Sequence, residues 1–108
     1  MSDPLRVLIV DDERLARTYL RRLVDAIDNT ECVGEAPSAE AALALIRATS
    51  PDVVLLDVQM PEKDGFHVVR HLPQGEMPAV IFVTAHDHYA VKAFDVHATD
   101  YLLKPPDP

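Results

Sequence analysis

Short apolar runs alternate with stretches of helical spacing along the whole chain. Residues 5–10 (LRVLIV) are short, rich in β-branched side chains and nearly continuous in hydrophobicity, which is typical of a strand buried on both faces. Residues 53–56 (VVLL) form the most apolar run, and residues 80–83 (VIFV) predict another strand. Weaker runs at 32–36 (CVGEA) and 101–103 (YLL) bring the number of predicted strands to five.

The stretches between these strands predict helices. The first is an amphipathic helix of about four turns, because apolar residues recur at spacings of three and four, at Ala16, Leu20, Leu23, Val24 and Ile27. A second helix is predicted over 39–48, with Ser38 as its N-cap. A short helix is predicted near 66–72, and apolar residues between 90 and 94 indicate a fourth.

Alternating strands and helices predict βαβ units, and right-handed crossovers wind such units into a parallel sheet with helices on both faces. We therefore predict an α/β fold with a doubly wound, five-stranded parallel sheet. Ligands bind outside the carboxyl ends of the strands in such sheets. The residues that directly follow each strand are therefore the candidates for function.

Polar residues follow four of the five predicted strands. Asp11 and Asp12 follow the first strand, and Asp57 follows the third. Thr84 follows the fourth strand and Lys104 the fifth. Three carboxylates in one cleft repel one another, and a divalent cation would offset that repulsion. Ligands that are all oxygen favour a hard ion, so we predict a Mg²⁺ site.

The same residues could handle a phosphoryl group. Lys104 could neutralise one phosphoryl oxygen as a point charge, and the Thr84 hydroxyl could hydrogen-bond another. A carboxylate beside Mg²⁺ can attack phosphorus and form an acyl phosphate. Asp57 is the candidate nucleophile because it alone ends the most apolar strand. Each residue taken singly is more often only a turn, cap or loop residue, whereas the ordered set favours a site.

Composition and charge narrow the class of protein. The 108 residues fit one domain, and 18 acidic against 10 basic residues give a net charge of −8. Such a surface repels phosphate backbones, so the chain is a poor nucleic-acid binder on its own. The single cysteine, Cys32, fits a reducing compartment, and no apolar run is long enough for a membrane helix. We expect a cytoplasmic protein without membrane contact.

The chain resembles the receiver domain of a two-component response regulator. The matching segments are residues 7–13 (VLIVDDE), 52–61 (DVVLLDVQMP), 64–65 (DG), 83–85 (VTA) and 100–105 (DYLLKP). The resemblance covers essentially the whole chain and implies a flavodoxin-like strand order, 2-1-3-4-5. It implies a phosphorylation-controlled signalling switch rather than an enzyme, since such a domain catalyses only its own phosphorylation and dephosphorylation.

The resemblance also implies a phosphoacceptor and a metal-ligand set. Asp57 would take a phosphoryl group from a sensor histidine kinase. Asp12 would bind Mg²⁺ directly and Asp11 mostly through water. Asp57 and the backbone carbonyl of Gln59 would complete the ligands that the protein supplies.

Four further residues receive roles from the same resemblance. Thr84, Ala85 and Lys104 would bind the phosphoryl oxygens. Thr84 and Tyr101 would act as the switch, because Tyr101 turns inward when Thr84 moves toward the phosphoryl group. The surface formed by the fourth helix and the fifth strand would then change and regulate an output.

A finer resemblance concerns the output. Residues 83–94 (VTAHDHYAVKAF), together with 100–105, are similar to LytTR-type regulators, which join a receiver to a C-terminal DNA-binding domain. This implies transcription regulation, with DNA bound only through a domain absent from this chain, and a homodimer on phosphorylation. Asp107 and Pro108 have the residue types that open a helix. We therefore expect residues 1–108 to be a receiver domain truncated before its fifth helix.

Other interpretations stay open at this point. A phosphatase of the haloacid dehalogenase type has Asp-x-Asp and then Thr after its first strand, whereas residues 11–13 are DDE. A flavodoxin-like redox protein needs a neutral phosphate loop there, and a receiver that serves as an unphosphorylated scaffold usually lacks one of the five site residues. The basic face of the first helix is either a kinase contact or a solvated face paired with Asp25 and Glu13; its residues are Arg14, Arg17, Arg21 and Arg22.

Overall fold

Five parallel strands form one sheet in the order β2-β1-β3-β4-β5. The computed structural model describes residues 3–72, 78–84 and 100–103, and for 84 and 100–103 it describes the backbone only. The strands are β1 (Leu5–Val10), β2 (Thr30–Ala36), β3 (Val53–Leu56), β4 (Ala79–Thr84) and β5 (Asp100–Leu103). The predicted doubly wound fold and strand order are confirmed, and β2 begins two residues earlier than predicted.

The described residues contain helices α1 (Arg14–Ala26), α2 (Ala39–Thr49) and α3 (Gly65–Arg70). The predicted N-cap of α2 is confirmed, because the Ser38 hydroxyl accepts a hydrogen bond of 3.2 Å from the Ala41 N–H. Asp64 caps α3 in the same way, through the His67 N–H at 3.1 Å. The predicted fourth helix and the predicted helix start at 107–108 lie outside the described residues.

The two faces of the sheet carry separate apolar clusters. Alternate residues of β1 divide between them, as the two-residue period of a strand requires. Val7 and Ile9 pack with the α1 residues Leu20 and Val24. The larger cluster, on the face covered by α2 and α3, is formed by Leu8, Val10, Ala36, Ala39, Ala42, Ile46, Val54, Leu56, Val58, Met60, Phe66, Val68, Val69, Leu72, Val80 and Phe82. β1 is buried on both faces, as its apolar run predicted.

The predicted apolar stripe of α1 is only half right. Leu20 and Val24 are buried, but Leu23 is 44% exposed and Ile27, just beyond the helix, is 58% exposed. Spacings of three and four identify an apolar stripe but not which side of it faces the sheet. Here Leu20 and Val24 pack against β1, and Leu23 lies on the exposed side. Cys32 of β2 is partly exposed.

Candidate metal centre

Three carboxylates converge at the carboxyl ends of β1 and β3. One oxygen from each of Asp11, Asp12 and Asp57 lies within 4.8 Å of the others. Asp11 and Asp57 are buried, at 0% and 4% exposure, and Asp12 is the most exposed of the three. The predicted convergence of these strand ends is therefore present.

Backbone hydrogen bonds hold the first residue after β1 and the first residue after β3 at the end of the sheet. The Asp11 N–H donates to the Ala36 carbonyl at 3.1 Å, and the Asp57 N–H donates to the Val10 carbonyl at 2.9 Å. Each aspartate thus continues the hydrogen-bonding ladder of its strand by one residue. The carboxylates sit on the rigid end of the sheet rather than on free loops.

Local turns orient the two buried carboxylates. Asp11 Oδ1 accepts the Glu13 N–H at 2.9 Å, and Asp57 Oδ1 accepts the Gln59 N–H at 3.2 Å. Such bonds from the amide two residues on are the ordinary Asx turn. Gln59, predicted to contribute only backbone atoms, has an exposed side chain and is tied to the site through its N–H.

The donor set fits a hard divalent cation. All three side chains offer oxygen, the ligand type that Mg²⁺ and Ca²⁺ prefer. Three formal negative charges within 4.8 Å also repel one another, and a bound cation relieves that repulsion. Among the described residues this is the one cluster of three or more side chains of the metal-ligating types Asp, Glu, His and Cys.

Gly65 lets α3 begin directly against the Asp57 backbone. Its N–H donates to the Val58 carbonyl at 2.9 Å. A Cβ at this position would lie 2.4 Å from the Asp57 carbonyl oxygen, a distance that side chains do not tolerate. Gly65 belongs to the family motif at 64–65 (DG), but its place in the sequence alone indicated no role for it. The signal was the Asp-Gly pair seven residues after the phosphoacceptor candidate.

Two arginines of the basic face of α1 have a partner other than the local ones that one of the two sequence interpretations gave them. Arg17 and Arg21 pair with Glu35 of β2, not with Asp25 and Glu13: Arg17 Nε is 3.6 Å from Oε1 and Arg21 Nη1 is 2.9 Å from Oε2. The hydrogen bond to Glu35 is the main reason that the pKa of Arg21 is raised. Arg17 Nη1 also donates to the backbone carbonyl of Asp11 at 2.7 Å. Sequence spacing did not predict the ion pairs with Glu35, because Glu35 lies next to α1 only in the folded protein.

The other predicted site residues lie at or beyond the limits of the description. Thr84 ends β4, and Tyr101 lies in β5 opposite Phe82 in the strand register. The side chains of Thr84 and Tyr101, and all of Ala85 and Lys104, lie outside the described residues. Their predicted roles remain predictions.

A parallel sheet of this strand order, with an acidic triad at the ends of β1 and β3, defines a receiver-type signalling domain of the flavodoxin-like class. The sequence pattern of the response regulator receiver domain family matches residues 7–108. The chain therefore belongs to the response regulator receiver domains, as the sequence motifs predicted.

Named relatives agree with this assignment. The transcriptional regulatory protein BtsR of Salmonella typhi is 48% identical over 101 residues, which are 94% of this chain and 42% of BtsR. The sensory transduction protein LytT of Bacillus cereus is 44% identical over 104 residues, 95% of this chain and 42% of LytT. The crystal structure of a LuxR-family two-component response regulator from Aurantimonas sp. SI85-9A1 matches with a TM-score of 0.89 at 33% identity, covering 98% of this chain and 78% of that one.

These similarities settle the class of protein. The similarity to LytT and BtsR confirms the predicted LytTR-type relationship. Family membership excludes the phosphatase and redox interpretations left open by the sequence, and makes the chain a signalling domain.

The chain spans about two fifths of the length of these curated relatives. No helix among the described residues is long and apolar enough to cross a membrane.

Proposed function

We propose that this receiver is switched by phosphorylation of Asp57. The observation that carries the proposal is the acidic triad, in which Asp57 is buried at the end of β3 and lies within 4.8 Å of two other carboxylates. The donor is a phosphohistidine of a sensor histidine kinase. A carboxylate oxygen of Asp57 forms a bond to its phosphorus while the bond from phosphorus to the imidazole nitrogen breaks. The imidazole keeps that electron pair and leaves, and Asp57 becomes an acyl phosphate.

Asp11, Asp12, Asp57 and the backbone carbonyl of Gln59 would hold Mg²⁺. The all-oxygen donor set supports this choice of ion. When bound, the ion supplies positive charge that offsets the carboxylates and the incoming phosphoryl oxygens. The residues themselves keep the nucleophile in place, because the Asp57 carboxylate is oriented by the Gln59 N–H and its backbone by the Val10 carbonyl.

Thr84, Ala85 and Lys104 complete the proposed phosphoryl site. Support comes from the strand register: β4 lies beside β3, and β5 lies beside β4 with Leu103 opposite Thr84. Because β3, β4 and β5 are parallel, their carboxyl ends lie at the same edge of the sheet. Lys104 directly follows the last residue of β5 in the sequence. Thr84 and the β5 residue Tyr101 would then transmit phosphorylation to the neighbouring surface.

The exposed side of α1 is the proposed contact for a sensor histidine kinase. Leu15, Tyr19 and Leu23 recur every fourth residue and are 83%, 47% and 44% exposed. Residues at this spacing share one helix face, and Leu15 lies three positions after Asp12. An apolar stripe that begins beside the acidic triad suits a helical partner that delivers a phosphoryl group to Asp57.

The output of the full-length protein is proposed from its relatives. BtsR is a transcriptional regulatory protein. We propose that the receiver controls a DNA-binding domain beyond this chain, that phosphorylation favours a homodimer, and that the protein works in the cytoplasm. The net charge of −8 supports an output by protein contacts rather than by direct DNA binding of the receiver.

Intact-mass measurement after incubation with Mg²⁺ and acetyl phosphate tests the proposed site. The wild-type chain should gain the mass of one phosphoryl group only when Mg²⁺ is present, and Asp57→Asn should gain nothing. Asp52→Asn is the matched control, because Asp52 precedes the same strand at its opposite end and this variant should react normally.

A failure of the folded wild-type chain to react would overturn the proposal and favour an unphosphorylated scaffold. Circular dichroism on the same sample establishes that the chain is folded. Size-exclusion chromatography before and after phosphorylation then tests the proposed homodimer, which should appear only in the phosphorylated sample.

A further inference from the structure

Arg17 lies where α1, β2 and the loop after β1 meet. Its side chain is 17% exposed, although it belongs to a basic helix face. Nη1 donates to the Asp11 carbonyl at 2.7 Å, and Nε lies 3.6 Å from Oε1 of Glu35. One guanidinium therefore connects the acidic loop to the neighbouring strand.

The carbonyl that Arg17 contacts belongs to the peptide joining Asp11 to Asp12. The Asp11 N–H is held by the Ala36 carbonyl, and its carboxylate accepts the Glu13 N–H. The first bond holds the backbone on the N-terminal side of that peptide, and the second orients the Asp11 carboxylate. The Arg17 hydrogen bond restrains the peptide plane itself, and thus the direction in which the chain enters Asp12.

Glu35 keeps the guanidinium in this position. It stands opposite Ile9 in the β1–β2 register, so its backbone is part of the sheet rather than a loop. Arg21 binds the second oxygen of Glu35 at 2.9 Å, which restrains that carboxylate from the other side. A planar guanidinium with several donors suits such a two-sided contact better than an ammonium group.

We propose that Arg17 is a positioning residue for Mg²⁺ binding, acting through the Asp11–Asp12 peptide. The inference rests on the proposed Mg²⁺ site at Asp11, Asp12 and Asp57. Charge alone would act in the opposite direction, because a positive side chain beside three carboxylates repels a second cation. The sign of the effect therefore separates positioning from simple electrostatics.

Isothermal titration of the 108-residue chain with Mg²⁺ tests this role, comparing wild type with Arg17→Gln, Arg17→Lys and Arg22→Gln. Arg17→Gln should weaken Mg²⁺ binding about 10-fold, at the lower end of the effects seen for residues that orient metal ligands. Arg17→Lys keeps the charge and one donor, and should recover part of the lost affinity. Arg22 is exposed on the same helix, so Arg22→Gln removes an equal charge and should bind as wild type does.

Unchanged or tighter Mg²⁺ binding by folded Arg17→Gln would overturn the inference while leaving the phosphorylation proposal intact. Absence of Mg²⁺ binding by the wild type would overturn both. Thermal unfolding without Mg²⁺ shows whether each variant is folded. If Arg17→Gln is unfolded, Arg17→Lys decides: weaker Mg²⁺ binding supports the inference and wild-type affinity overturns it. A second readout is the initial rate with acetyl phosphate, which saturating Mg²⁺ should restore in Arg17→Gln.

Discussion

Single residues around Asp57 carry out tasks that few other residue types allow. Gly65 is the clearest case, since its missing side chain lets the first turn of α3 touch the Asp57 carbonyl. The Asp64 carboxylate caps that turn through the His67 N–H. The loop after β3 is thereby fastened at both ends, and the phosphoacceptor candidate gains a fixed backbone.

We predict that Gly65→Ala destabilises the protein by about 2 kcal/mol, the usual range for adding a methyl group where no space exists. Urea unfolding measures the change. Gly34→Ala is the control, because its Cβ would meet Leu8 Cδ1, the end of a side chain, at 3.2 Å. A smaller loss is expected there, since a side chain can yield more easily than backbone. Equal losses for the two variants would argue against a special role for Gly65.

At the scale of elements, α2 is flanked by a serine at each end. Ser38 caps the first turn with its hydroxyl. Ser50 follows the last turn with φ 47° and ψ 61°, the left-handed conformation that usually falls to glycine at this position. The same residue type is thus favourable at one end of the helix and costly at the other.

We therefore predict opposite effects of two substitutions in α2. Ser38→Ala should lower the free energy of unfolding by about 1 kcal/mol, because the Ala41 N–H loses its acceptor. Ser50→Gly should raise it by up to about 1 kcal/mol, since glycine adopts the left-handed region freely. Chemical denaturation of both variants checks the two signs, and a gain from Ser38→Ala would contradict the assigned cap.

His67 in α3, which stacks on His71 just beyond the helix, links stability to pH. The rings of His67 and His71 have centroids 4.0 Å apart. Burial lowers the pKa of His67 below its usual 6.5, and the positive charges of His71 and Lys63 lower it further, against the opposing pull of Asp64. The folded protein therefore resists protonation of His67 more than the unfolded chain does.

The sign of the pH effect follows from linkage. The unfolded chain binds the proton more readily, so stability falls as the pH drops through about 6.5 toward the lower folded value. We predict that the urea midpoint of wild type declines more between pH 8 and pH 5.5 than that of His67→Gln. Identical declines would show that His67 does not contribute to the pH dependence.

At the scale of the whole molecule, the acidic receiver presents an apolar stripe beside its reactive edge. Leu15 is the most exposed of the large apolar residues that the structure describes. Exposing such an apolar side chain to water is unfavourable, and covering it with a partner gives a favourable free energy of binding in proportion to the area buried. The stripe therefore connects the proposed chemistry at Asp57 to a proposed docking surface.

We predict that Leu15→Ala slows phosphoryl transfer from the cognate histidine kinase on the order of 10-fold, the effect of truncating one well-packed interface residue. Phosphorylation by acetyl phosphate should be unchanged, because that donor needs no docking surface. Ile27→Ala is the matched control, since Ile27 is 58% exposed at the far end of α1. Equal transfer rates for wild type and Leu15→Ala would exclude this contact.

Much of the architecture was readable from local pattern. The apolar runs of β1 and β3 were predicted with their observed limits, Leu5–Val10 and Val53–Leu56. The Ser38 cap was also recognised from residue type. Local steric preference and burial pattern act within a few residues, so the sequence itself determines these features. The order of polar residues at successive strand ends likewise indicated the acidic site.

Other features depend on which segments become neighbours. Two contacts join parts of the chain that sequence spacing leaves unrelated: Arg17 pairs with Glu35, and Gly65 lies against the Asp57 backbone. The exposure of Leu23 likewise depends on how α1 packs on the sheet. Only the tertiary structure decides them, because strand order and helix packing choose one set of neighbours from many sterically allowed sets. The sequence thus determined the strands and the candidate chemistry. The folded sheet decided that three carboxylates lie within 4.8 Å of one another.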